Sequence, residues 1–281
     1  MRGLLADQHP DLAALPLREF ASGWDNLIYR LGDALCVRLP RRQLGADLVV
    51  HEQTWLPRLA PSLPLPVPAP LRTGEPGRRY PWRWSICPWL PGEPAATSAP
   101  RDPFASADRL GAFSAALHRP APTDAPRNAF RGGPLQSRNA ALDRRVEQLG
   151  AAIDAAAVRA LWARCLALPH WSKAPVWLHG DLHPANLLVH EGVLSAVIDL
   201  GDISAGDPAT DLAIAWMLFE PSARQRFRSA AGDVDDATWG RAQGWALQLA
   251  LAFMADSADE PVLRRIGEAT LDTALGDDGA A

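Results

Sequence analysis

Apolar residues recur along this chain with two different periods, and the change of period divides it. From about residue 20 to 90 the pattern is that of strands. Leu27-Ile28-Tyr29-Arg30-Leu31 and Ala34-Leu35-Cys36-Val37-Arg38-Leu39 are short apolar runs on either side of Gly32-Asp33, which predicts a β-hairpin. Residues 45–60 interrupt this with Val49, Val50, Trp55, Leu56 and Leu59 at helical spacing. The five prolines between Pro61 and Pro70 predict an extended connector. Trp82 to Ile86 reads as a further strand. Pro88, Pro91 and Pro94 then punctuate a linker, and the period changes. From residue 105 the chain is rich in Ala and Leu at helical spacing, which predicts helices near 105–118, 139–152, 155–168, 209–219, 235–256 and 261–274. Residues 119–138, with Pro120, Pro122, Pro126, Gly132, Gly133 and Pro134, read as loop. The expected fold class is α+β, with a β-rich lobe over 1–90, a hinge at about 87–92 and a helical lobe over 93–281.

Composition narrows the classes. The 281 residues are 48% hydrophobic and 21% charged, a globular balance with enough chain for a sizeable core. No apolar run approaches a membrane span, and Asp7, Asp11 and Glu19 stand where a signal peptide would be apolar, so the expectation is a cytoplasmic protein. Cys36, Cys87 and Cys165 are odd in number and far apart, which suggests small packed residues rather than a disulfide or zinc framework. The net charge of −4 argues against nucleic acid as a partner. The charge is uneven. Residues 1–90 hold 11 basic and 8 acidic side chains, whereas residues 91–281 hold 17 and 24. A basic first part suits a polyphosphate, and an acidic second part is compatible with a cationic acceptor.

The chemistry is concentrated in His179-Gly180-Asp181-Leu182-His183-Pro184-Ala185-Asn186 and Ile198-Asp199-Leu200-Gly201. Phosphoryl transfer needs a carboxylate at the attacking hydroxyl and oxygen ligands that hold Mg²⁺ against nucleotide phosphates. Asp181 can meet the hydroxyl as catalytic base, and Asn186, one turn later, can hold metal. Asp199 returns as a second metal ligand after Leu187-Leu188-Val189 and Val193 to Ile198, which read as a hairpin. A carboxylate after the apolar run Ala196-Val197-Ile198 calls for a partner, and a hard cation supplies one. A rival reading makes His179, Asp181 and His183 a zinc cluster of a hydrolase. It leaves Asn186 and Asp199 without a purpose.

These residues resemble the aminoglycoside phosphotransferase family of small-molecule kinases, which carry His-Gly-Asp at this point. The resemblance extends through Ser22-Gly23-Trp24-Asp25-Asn26, Val37-Arg38-Leu39-Pro40, His51-Glu52-Gln53, Trp89-Leu90-Pro91-Gly92-Glu93 and Gly206-Asp207-Pro208-Ala209-Thr210-Asp211, covering roughly residues 15–255. It implies a two-lobed protein-kinase-like fold, ATP or GTP as phosphoryl donor, and Mg²⁺. It implies that Ser22 and Asn26 border the phosphates, and that Pro88 and Leu90 line the nucleobase at the hinge. Trp24, at the tip of the phosphate turn, reads as a packing residue. Arg38 stands where the family places a phosphate-gripping lysine, with Glu52 as its partner. The chain's one lysine, Lys173, lies far from that strand. By the same resemblance His179, Asp207 and Asp211 are structural, with Asp211 bracing the catalytic loop and Asp207 capping the helix near Pro208.

The acceptor is open in sequence. The family acts on antibiotics such as aminoglycosides, macrolides and peptide antibiotics, and also on sugars, choline-like alcohols and amino-acid derivatives. The acidic balance nominates Asp202, Asp256, Asp259 and Glu260 as contacts to acceptor amines. Trp216, Trp239, Trp245 and Phe253 are core residues or an aromatic wall. A nucleotide-binding pseudo-enzyme is the remaining alternative, motivated by Arg38.

Overall fold

The computed structural model describes residues 1–23, 25–257 and 259–277. The chain forms two compact units. The first comprises residues 1–91 and 197–203, and the second comprises residues 92–196 and 204–281.

The first unit opens with α1 (Arg2–Gln8) and is built on a five-stranded antiparallel sheet. Its strands are β1 (Leu17–Ser22), β2 (Asn26–Leu31) and β3 (Leu35–Pro40), then, after α2 (Gln43–Leu59), β4 (Arg72–Gly74) and β5 (Trp84–Pro88). The spatial order is β1-β2-β3-β5-β4. The Gly32-Asp33 turn closes β2 on β3 in the register Leu31↔Leu35, with Gly32 at φ +58°. Leu31, Val37, Trp84 and Ile86 point to one face and join Leu4 and Leu5 of α1 in a closed core. Residues 63–70 run without regular structure, as their four prolines dictate. The segment 197–203 belongs here, although chain order had assigned it to the helical lobe. Val197 N–H donates to Pro66 C=O at 3.0 Å, and Gly201 lies against Leu48 of α2.

The second unit is mainly helical. Its helices are α3 (Pro103–Leu117), α4 (Asn139–Leu149), α5 (Ala155–Leu166), α6 (Ala209–Leu212), α7 (Ile214–Leu218), α8 (Pro221–Ala230), α9 (Asp236–Asp256) and α10 (Pro261–Gly276). Short strands β6 (Glu93–Pro94), β8 (Leu187–His190) and β9 (Val193–Val197) form one ribbon, and β7 (Val176–Leu178) pairs with β10 (Ser204–Gly206) in another. Helix α9 is apolar around most of its circumference, with Trp245, Ala246, Leu247, Ala250 and Leu251 fully buried. It packs against α4, α5, α6, α7 and α10. An all-round apolar helix of this kind belongs at the centre of a core. Aspartates set the helix starts: Asp102 caps α3, Asp154 caps α5 and Asp235 caps α9, each accepting backbone N–H groups of the first turn.

The expected helix over 209–219 is two short helices, α6 and α7, which meet at Ala213. Helix α8 was not expected. Its buried face is only Ala223, Arg224 and Phe227, and four arginines and glutamines among its ten residues hide that stripe from a hydropathy reading. Among the described residues no helix is long and apolar enough to cross a membrane. All three cysteines are free and buried, and burial pushes the Cys165 thiol up to about 11.

One glycine in the 119–138 loop fixes where that loop sits. Gly132 has φ +69°, donates its N–H to Thr210 Oγ1 at 2.9 Å and accepts from Asp207 N–H at 2.8 Å. A Cβ there would stand 2.5 Å from Leu178 Cδ1 and 3.1 Å from the Gly206 Cα. Gly132→Ala is therefore expected to destabilise the protein by about 2 kcal/mol or more, from positive-φ strain and steric clash together. Chemical denaturation of the two proteins side by side measures it.

Candidate active site

In the first unit, three charged side chains converge at β3, α2 and the segment after β9. Arg38 lies on β3 and is 6% exposed. Its Nη1 donates to Glu52 Oε1 at 2.7 Å and its Nη2 to Asp199 Oδ1 at 3.0 Å. Glu52 comes from the middle of α2 and is 1% exposed, whereas the Asp199 side chain is 56% exposed. Asp199 itself has φ +60°, a left-handed residue immediately past the strand. Burial by itself would lower the Arg38 value, but the charges of Glu52 and Asp199 outweigh it and hold the guanidinium firmly cationic. Burial pushes the Glu52 carboxyl up, against the opposing charge of Arg38. Asp202 ends the short turn Leu200–Asp202 in this same unit.

The turn between β1 and β2 is held from within. Gly23 N–H donates to Asn26 C=O at 2.9 Å, and Arg41 Nη1 donates to Gly23 C=O at 3.0 Å. Ser22 ends β1 exposed, and Asn26 Oδ1 is buried without a partner among the described residues. Trp24 lies outside the described residues. At the end of β5, Trp89 N–H is committed to Ala34 C=O at 2.8 Å. Pro88 has no N–H, and its C=O receives the Cys36 thiol at 3.8 Å. Leu90 follows, half-buried and outside regular structure.

In the second unit, the catalytic-loop residues are arranged around Asp181. Its N–H donates to His179 Nδ1 at 3.2 Å. Its Oδ1 accepts from Arg131 Nη2 at 3.2 Å, and its Oδ2 stands 3.4 Å from His183 Nε2. His183 Nδ1 accepts Ala185 N–H at 3.3 Å, its Nε2 lies 3.2 Å from Asn186 Nδ2 as well as near the carboxylate, and its ring packs edge-on against Phe253 at 5.3 Å. Burial would raise the Asp181 carboxyl, but His183 and Arg131 outweigh it and hold it well below the usual carboxylate range. These partners favour the ionised form of Asp181. Asn186 donates Nδ2 to Asp181 C=O at 2.9 Å. Its amide oxygen is therefore the atom available to a hard cation.

His179 is fully buried, as expected of a residue behind the loop. Asp211 Oδ2 accepts from His179 N–H at 2.7 Å and Oδ1 from Gly180 N–H at 2.9 Å. His118, at the end of α3, places Nε2 3.2 Å from Asp211 Oδ2. Asp207 accepts from Ala209 N–H at 3.0 Å, starting α6, and is gripped by Arg241 Nε at 2.8 Å. The acceptor candidates separate. Asp256 Oδ2 is held by Arg145 Nε and Nη2 at 2.9 and 2.6 Å. Asp259 is exposed, and Glu260 stands at the N-cap position of α10. Trp216, Trp239, Trp245 and Phe253 are all buried, and the first two stack at 4.7 Å. Sequence reasoning missed Arg131, His118 and Arg241. Arg131 lies beside Gly132-Gly133 in a stretch read only as loop, and the other two lie on ordinary helices. Among the described residues no three His, Cys, Asp or Glu side chains converge as a metal site would require.

A model of the APH phosphotransferase enzyme family matches residues 16–245. The chain belongs to that family and is a small-molecule kinase. A search of curated protein sequences finds no match. Solved structures share the fold. The GDP and kanamycin complex of APH(2")-IIia is 19% identical, with 98% of each chain covered and a TM-score of 0.73. Macrolide 2'-phosphotransferase MphH from Brachybacterium faecium is 24% identical over 96% of both chains, with a TM-score of 0.62. ADP-bound aminoglycoside phosphotransferase APH(2'')-Ib is 16% identical over 93% of this chain and 94% of the other, with a TM-score of 0.60.

Asp211 carries a pH signature. Burial would raise its carboxyl, but His118 and then His179 and the Gly180 N–H hold it below the usual value. A carboxyl lowered in the folded state stabilises fully above its unfolded value, about 4, and loses that contribution as pH falls through the folded value. Asp211→Asn is therefore expected to cost on the order of 3 kcal/mol at pH 7, since buried donors lose a charged acceptor. The gap should shrink below about pH 4. Urea midpoints across pH measure both.

Proposed function

We propose that this protein moves the γ-phosphoryl group of ATP or GTP to a hydroxyl of a small molecule. The observation that carries the reading is the Asp181 carboxylate, held on the catalytic loop with His183 at one oxygen. It orients the acceptor hydroxyl and takes its proton late, as the oxygen–phosphorus bond forms and the nucleoside diphosphate leaves. A carboxylate held this acidic suits that order, because it does not need to deprotonate the hydroxyl in advance.

Asn186 and Asp199 each carry a hard oxygen of the kind Mg²⁺ takes, and these two residues would hold the ion with phosphates and water completing its shell. Bound there, the ion would neutralise charge on the β- and γ-phosphates. Arg38 takes the phosphate-binding role that a lysine usually fills, with Glu52 holding it in place. Ser22 and Asn26 border the phosphates, and Pro88 and Leu90 border the nucleobase. Solved relatives named as GDP and ADP complexes support a purine nucleotide donor without choosing between ATP and GTP. The reaction suits the cytoplasm, where these triphosphates are held, and needs neither nucleic acid nor membrane.

Likeness to an enzyme solved in complex with kanamycin and to a macrolide 2'-phosphotransferase supports an antibiotic acceptor, and hence a resistance or self-protection role. On that reading Asp202, Asp256, Asp259 and Glu260 are the acidic groups that would meet amines. A metabolite acceptor is favoured by a different observation, the Arg131 guanidinium bonded to Asp181.

Asp181→Ala is expected to lower acceptor-dependent nucleotide consumption by about 10²–10⁴-fold while leaving nucleotide affinity nearly unchanged. Near-normal turnover by that variant would sink the catalytic assignment. Asp199→Ala should lose Mg-nucleotide binding and turnover together. Arg38→Ala should raise the nucleotide KM, lower kcat, or both, and a variant matching wild type in both would make Arg38 a bystander. Steady-state kinetics with varied nucleotide and Mg²⁺ separates these outcomes.

A further inference from the structure

A group of arginines adjoins Asp181 through one member, Arg131. Arg131 donates Nη2 to Asp181 Oδ1 at 3.2 Å, and its backbone position is fixed by the clamped Gly132 that follows it. Phe130, 62% exposed, carries the Arg138 guanidinium over its ring at 5.5 Å. Arg138 immediately precedes α4, and Arg145 follows seven residues later, two turns along the same face. Arg145 is 8% exposed and gives Nε and Nη2 to Asp256.

Each of these three guanidinium groups retains a buried N–H with no partner among the described residues: Arg131 Nε, Arg138 Nε and Arg145 Nη1. Buried donors in folded proteins are nearly always paired, and an unpaired one is costly. The like charges are also close. Burial lowers the Arg138 guanidinium from its usual value, and Arg145, Arg131 and Arg144 lower it further. Arg131 pairs with Asp181 and Arg145 with Asp256, whereas Arg138 has no carboxylate partner among the described residues, so positive charge is left over around it. An oxyanion would neutralise that excess and accept from the unpaired donors at once, and planar guanidinium forks match carboxylate and phosphate oxygens. An ammonium group at the same place would meet repulsion from Arg131.

We propose that Arg131, Arg138 and Arg145 form an acceptor subsite for an oxyanion, so that the molecule phosphorylated at Asp181 is a hydroxylated carboxylic acid or a phosphate ester of a polyol, not a polyamine. The inference rests on the phosphotransferase reading above for the role of Asp181. Arg131 then bridges the carboxylate that orients the hydroxyl and the group that identifies the acceptor, while Arg138 and Arg145 hold the far oxygens. Asp256 becomes the counter-ion that positions Arg145.

Two measurements test it. Calorimetric titration of inorganic phosphate into the full-length chain, without nucleotide, should show binding that weakens at least tenfold in Arg138→Gln and is partly restored in Arg138→Lys. It should survive Arg38→Ala. Binding lost only in Arg38→Ala would place the phosphate at the nucleotide-phosphate residues, and absent binding or binding indifferent to Arg138→Gln would leave the subsite empty of function. Each of those results overturns the proposal. Separately, Mg-dependent nucleotide consumption is followed with gluconate against glucose, glycerol 3-phosphate against glycerol, and kanamycin. At least one oxyanion should exceed its neutral counterpart in kcat/KM, with its KM raised tenfold or more by Arg138→Gln and kcat affected less. The gluconate pair reports a carboxylate preference and the glycerol pair a phosphate preference. Faster turnover of kanamycin than of either acid overturns the proposal. A chain that fails to bind Mg-nucleotide at all refutes the phosphotransferase reading instead, and the phosphate titration still decides the subsite.

Discussion

The buried carboxylate of Asp211 is the constraint on which the loop from His179 to Asn186 depends. It accepts the backbone N–H groups of His179 and Gly180 and is itself met by His118 from the end of α3. Gly180 can turn at φ +86° because it has no side chain, and that turn presents Asp181. The same short stretch fixes a second segment. Asp207 N–H and Thr210 Oγ1 hold both backbone polar groups of Gly132, which places Arg131 at the Asp181 carboxylate. One short stretch, from Asp207 to Asp211, thereby sets the Asp181 carboxylate and its arginine. Arg241, buried and bonded to Asp207, anchors that turn to the central helix α9.

A different logic governs the first unit. Arg38 stands on a strand between two carboxylates, and its fork donates to both at once through separate nitrogens. An ammonium can reach two acceptors as well, but only as a point charge. The guanidinium fixes the plane and spacing of its partners. Glu52 is nearly inaccessible and its second oxygen has no partner among the described residues, so its charge depends on Arg38. The arginine is therefore an integral part of this charge cluster.

Charge illustrates where sums over a sequence mislead. Residues 91–281 carry an acidic excess, which nominated amine-binding carboxylates. Much of that acid is committed locally: Asp207 to Arg241, Asp211 to backbone and His118, Asp256 to Arg145, Asp108 to Arg226. Around Arg138, by contrast, no carboxylate partner is found among the described residues. Net charge over a lobe describes its long-range field, whereas recognition at a few ångströms depends on which charges are paired.

The sequence by itself determined the elements whose period is strong and the site whose spacing is local. The β2–β3 hairpin, α2, α3, α9 and α10 follow from alternation, turn chemistry and helical spacing. The run from His179 to Asn186 fits on one loop, so its members had to be neighbours. Sequence did not reveal α8, whose apolar stripe is diluted by arginine, or the division of 209–219 into two helices. Nor could it assign 197–203 to the first unit, because that membership rests on Pro66, Leu48 and Arg38, more than a hundred residues away in the chain. Only tertiary structure brought Arg131 to Asp181 and His118 to Asp211, across 50 and 93 positions. No short-range pattern encodes such pairs, since neither partner changes the periodicity of its own segment. They exist because a positive-φ glycine and a buried helical turn hold distant stretches of backbone at hydrogen-bonding distance.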